Sequence, residues 1–217
     1  MLMRTFGFLI RNLLAALCLV GSGVSVAGTL AGSAHDFSGQ GWAGGQICLP
    51  CHTPHKSNTA VADAPLWNHA LTNATFTLYT SPTLNATMTQ PGGGSKLCFS
   101  CHDGTVAINS FGGATGTTVI GATSKIGPDL RSEHPIGFVF DAALATTDGS
   151  LKNPATSTVT IGAGTQAKTG TIAATMLYGG KMECASCHDV HNTFTNGAKL
   201  LKVTSAGSAI CTTCHAK

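Results

Sequence analysis

The sequence predicts a mostly irregular, coil-rich chain with short α-helices and a minor β-hairpin. Three observations lead there. Glycine accounts for 27 of 217 residues and breaks the chain into short runs with no sustained helical or strand period. Phe, Trp and Tyr make up 6%, too few large side chains to fill a conventional interior at this length. Eight of the nine cysteines fall into four Cys-x-x-Cys pairs, and each pair is followed directly by histidine: Cys48, Cys51 and His52; Cys98, Cys101 and His102; Cys184, Cys187 and His188; Cys211, Cys214 and His215.

A Cys-x-x-Cys pair alone fits a redox dithiol, half of a zinc site or a disulfide, so the following residue carries the weight. With nine histidines in 217 residues, histidine falls at a given position by chance roughly one time in twenty-five, and four coincidences exclude chance. In CxxCH each thiol adds across a haem vinyl group and the histidine becomes an axial ligand of the iron. Four covalently bound haem c groups are expected, and the fold class becomes a haem-organised multihaem cytochrome c. The porphyrins supply the missing apolar bulk, so the haem-free chain is expected to be largely unfolded.

Residues 1–27 read as a signal peptide. Arg4 and Arg11 provide positive charge, Leu13 to Val20 a short apolar core, and Ser25-Val26-Ala27 a small-x-small cleavage site. The apolar run is short for a membrane span, and Leu17 stands where a lipoprotein reading of Cys18 expects a small residue. Residues 28–217 form a single tetrahaem domain. Two of the twelve Lys and Arg lie in the signal, leaving ten against nine acids, or +1. Haem propionates then turn the assembled protein acidic, and no clustered basic surface for nucleic acid is present.

Along the chain, Gly28 to Gly45 is a glycine-rich arm holding Ala34-His35-Asp36-Phe37-Ser38. Asp63 as N-cap and Pro65 in the first turn predict a short helix through Leu66 to Leu71. Thr75 to Thr80 alternates polar and apolar residues and reads as a strand. His134 precedes Pro135 and is biased to extended backbone. Thr158 to Ile161 and Thr169 to Ile172 predict a hairpin. The last two motifs are close enough in sequence for neighbouring haems.

Four proximal histidines leave His35, His55, His69, His134 and His191 for the opposite faces, five candidates for four irons. A bis-histidine set is therefore available without Met88, Met176 or Met182, and it suits a low-potential carrier. His55 and His191 each follow a proximal histidine by three residues; neither can reach the far face of its own haem, so each is expected to ligate the next. His134 fills a third vacancy, and His35 and His69 compete for the fourth, with His35 preferred because His69 sits beside Trp67 where packing or hydrogen bonding is an equal use.

The phrases AHDFSG, CLPCHTPH, APLWNHALT, CFSCHDGTVA, SEHPIGF and CASCHDVHN resemble the doubled-CxxCH multihaem c-type cytochromes of metal-reducing bacteria, over nearly all of residues 28–217. The resemblance is greatest to the tetrahaem outer-surface branch that polymerises into extracellular filaments. It implies bis-histidine haems stacked in a continuous chain, with one distal histidine reaching a haem of the adjacent subunit; His55 or His35, which flank the first haem, is the expected crossing residue. It further implies self-assembly into a conductive filament, upstream periplasmic or outer-membrane cytochromes as donors, and extracellular acceptors such as metal oxides.

Long-range electron transfer at a secreted, outer-surface location is the leading function, and a monomeric periplasmic shuttle is the alternative. A multihaem oxyanion reductase needs an open iron and cationic substrate groups; histidines exceed vacancies and Arg131 is the only arginine after the signal. Asp103, Glu183 and Asp189 beside the motifs read as caps or potential-tuning charges, with no catalytic residues expected.

Overall fold

The computed structural model describes residues 29–62 and 64–216. The expected signal peptide, Cys18 and Asp63 lie outside them.

Most of the described chain is turn and loop. Five short α-helices interrupt it: α1 (Gly93–His102), α2 (Ala142–Asp148), α3 (Ile172–Thr175), α4 (Cys184–Cys187) and α5 (Ala209–Cys214). Four strands make two small antiparallel sheets, β1 (Phe138–Val139) with β4 (Lys181–Met182), and β2 (Thr158–Ile161) with β3 (Lys168–Thr171). The β2–β3 hairpin is the one the alternation of Thr with Val and Ile foretold, in the register Thr158 to Thr171 and Ile161 to Lys168.

The largest apolar cluster forms around Phe138, Phe140, Ile161, Ile172, Met176, Leu177, Met182 and Val203, which brings the hairpin, α3 and the segment after the third motif together. A smaller one joins Phe76, Phe99 and Leu130, with the Phe76 and Phe99 rings 4.6 Å apart. Gly162 ties the hairpin tip to the last part of the chain: its amide donates to the Lys202 carbonyl at 2.9 Å. Its φ of +75° is left-handed, and a Cβ there would meet the Gln166 carbonyl oxygen at 3.0 Å and Phe194 Cα at 3.2 Å, so only glycine fits.

Two local expectations need correction. Residues 64–71 form no helix, because Trp67 pairs as an isolated bridge with His52 and His69 with Phe111. Residues 75–80 form no strand beyond a single bridge from Thr77 to Asp129. The Gln90 side chain takes the partner strand's place at Phe76, accepting from its amide at 2.8 Å and donating to its carbonyl at 2.9 Å.

Candidate haem-binding centre

Each motif folds as a single helical turn. The His52 amide donates to the Cys48 carbonyl at 2.8 Å, His188 to Cys184 at 3.1 Å and His215 to Cys211 at 3.0 Å, while the second motif occupies the last turn of α1. Positions i, i+3 and i+4 share one face of such a turn, so both cysteines and the histidine address the same side. In the first, third and fourth motifs the carbonyl of the second cysteine, left over at the end of the turn, accepts from a returning segment: Cys51 from Asn68 at 2.9 Å, Cys187 from Lys202 at 2.8 Å, Cys214 from Lys152 at 2.7 Å. This recurring clamp has no sequence signal, because the donors are backbone amides of unrelated residues.

Three of the four proximal rings are likewise oriented by backbone carbonyls. Nδ1 of His52 donates to the Pro65 carbonyl at 2.6 Å, Nδ1 of His102 to Ser124 at 2.7 Å and Nδ1 of His188 to Lys199 at 2.8 Å. A proton held at Nδ1 leaves the Nε2 lone pair for a metal. Burial pushes the Cys51, Cys101 and Cys214 thiols up to about 11, 12 and 11. Cys184 moves the other way, lowered first by its hydrogen bond with Cys98.

Three of the five remaining histidines lie beside a proximal one. His35 and His102 have ring centroids 6.0 Å apart, His191 and His52 6.1 Å, and His134 and His215 6.5 Å. A metal lies about 2.0 Å from an imidazole nitrogen and about 3.1 Å from the ring centre, so two imidazoles across one iron hold their centroids about 6.2 Å apart. The residues present therefore fit haem c. Burial, and then the charges of His102, His188 and His191, lower His35 to about 4, which keeps it in the neutral form a metal needs.

The last two candidates are used differently. His69 is buried, with Nδ1 2.7 Å from the Ala70 carbonyl and Nε2 3.1 Å from the Ala107 carbonyl and 3.6 Å from the Cys101 sulfur. His55 is exposed on the loop after the first motif, where its carbonyl accepts from the Thr53 hydroxyl at 2.9 Å.

The attachment cysteines follow one another through space. Cys51 is near enough to Cys101 to interact, Cys98 and Cys184 share a hydrogen bond, and Cys187 neighbours Cys211 and Cys214. Motifs two and three are locked by a buried carboxylate. Glu183 accepts from the Ser95 amide at 3.1 Å and from the Ser95 hydroxyl, at the N-terminus of α1, and that hydroxyl accepts from the Cys184 amide at 3.0 Å. Glu183 also caps α4, together with Ser186. Asp103 receives the Thr72 hydroxyl and the Thr105 amide, and Asp189 the amides of His191, Thr193 and Phe194, so each carboxylate shapes the loop beside its motif.

Residues 178–217, which carry the third and fourth motifs, match the family model described as Doubled CXXCH motif. This segment resembles a doubled CxxCH unit. The match supports a multihaem c-type cytochrome with covalently bound haem c and an electron-carrying role. No curated protein matches the chain. Among the described residues no three His, Cys, Asp or Glu side chains converge as a zinc site requires, and no helix is long and apolar enough to cross a membrane.

Proposed function

We propose that the chain is a bis-histidine tetrahaem cytochrome that polymerises into an extracellular filament and passes electrons along it to external acceptors such as metal oxides. Bound haem c supplies the ferric/ferrous couple. The protein's residues fix spacing and ligation: His52 with His191, His102 with His35, and His215 with His134 each hold one iron, and His188 holds the fourth.

The observation that carries the filament reading is what remains. His188 and His55 are both exposed, and neither belongs to the three paired rings described above, although the charge of His188 reaches His35. A distal ligand given by His55 to the His188 iron of a neighbouring copy would complete all four sites, and an exchange in which each copy gives and receives is a head-to-tail contact that propagates. With His35 turned toward His102, His55 is the crossing residue of choice. The resemblance to filament-forming tetrahaem outer-surface cytochromes supports the same reading, which includes a secreted location with periplasmic or outer-membrane cytochromes upstream. Catalysis at an open iron has no place in this scheme, because every vacancy is filled.

The test is electron microscopy of the purified, haem-loaded protein and of its His55→Ala variant, with low-temperature spin-resonance spectra on both. Filaments with only low-spin iron in the parent, and single particles with one high-spin iron in the variant, are expected. Single low-spin particles from the parent make it a monomeric periplasmic shuttle instead.

A further inference from the structure

A cavity of about 300 Å³ opens beside His191, lined among others by Lys168, Tyr178, Thr193 and Lys202. Lys202 is only 3% exposed. Its ammonium donates to the Tyr178 hydroxyl at 2.8 Å and lies 4.9 Å from the centre of that ring. An ammonium this buried is ordinarily paired with an anion. Asp189 lines the same cavity, yet its oxygens are taken by the amides of His191, Thr193 and Phe194, and among the described residues the one ion pair joins Arg131 to Asp129.

We infer that Lys202, supported by Tyr178, forms an anion site that takes a carboxylate or a comparable small oxyanion in the cavity beside His191. The Lys202 amide is already bonded to the Cys187 carbonyl, so the cation is anchored directly behind the third haem-attachment turn. The inference rests on the multihaem reading, and a propionate of a haem held by these motifs is one source of the anion. The other source is a free anion from solution, for which inorganic phosphate is the probe.

The experiment uses the haem-loaded protein and its Lys202→Met and Tyr178→Phe variants. Haem content per chain, potentiometric titration and the propionate bands of resonance Raman spectra are read with and without phosphate. For a propionate, Lys202→Met keeps full haem content, lowers the midpoint potential of one haem because a cation favouring the reduced state is gone, and moves a propionate band; phosphate changes nothing in the parent. For a free anion, phosphate shifts a midpoint in the parent and not in Lys202→Met. Should that variant fail to fold, Tyr178→Phe is read in its place, with a smaller shift in the same direction expected. Fully loaded variants with unchanged potentials, Raman bands and phosphate response overturn the site. A parent without haem overturns the multihaem reading itself.

Discussion

The imidazole of His191 lies against that of His52, with centroids 6.1 Å apart and planes within 18°. The two belong to different motifs, so a metal held between them bridges the third motif to the first. The same holds at His35 with His102 and at His134 with His215, where a loop or arm histidine closes on a distant motif. Ligation of this kind would link segments whose own apolar contacts are sparse.

Replacing His191 with alanine is expected to convert about one quarter of the ferric iron from low to high spin. The low-temperature spin-resonance spectrum checks it, with total haem content as control. A spectrum that stays entirely low-spin would show that His191 is not a ligand.

His35 and His69 should behave oppositely. His35→Ala is expected to produce one high-spin iron. His69→Ala is expected to leave every iron low-spin and to cost about 1–3 kcal/mol of stability, because it removes a buried, hydrogen-bonded imidazole from between Ala70 and Ala107. Spectra together with guanidinium unfolding of the haem-loaded variants separate the two, and a high-spin signal from His69→Ala reverses the assignment.

Glu183 joins α1 to α4 through Ser95, so Glu183→Ala is expected to destabilise by about 1.5–3 kcal/mol, and Ser95→Ala by about 1 kcal/mol. The double variant should lose less than the sum, since both changes break one network. Denaturant midpoints of the four proteins complete the cycle; strict additivity would mean that the two groups act separately.

Haem-free protein, obtained by replacing all eight motif cysteines with alanine, is expected to be largely unfolded. The Phe76, Phe99 and Leu130 cluster and the hairpin core are too small to offset the conformational entropy of so long a loop-rich chain. Circular dichroism and limited proteolysis test this, and a cooperative thermal transition in the cysteine-free chain contradicts it.

By itself the sequence determined the attachment chemistry, the coil-rich fold class and the β2–β3 hairpin. Each depends on residues close together in the chain: two thiols and an imidazole on one helical turn, or Thr alternating with Val and Ile across a glycine turn. The tertiary structure decided what depends on distant partners. Trp67 and His69 carry a helix-like local signal, yet their backbones pair with His52 and Phe111. Gln90, not a second strand, satisfies Phe76. Five candidate histidines were legible by count, but their pairing was not, because it follows from where the loops return. His191 passes over its own motif to face His52, and His69 is turned into the interior. Lys202 reads as an ordinary charged residue in sequence; only the fold buries it, by bonding its amide to the Cys187 carbonyl and its ammonium to the Tyr178 hydroxyl.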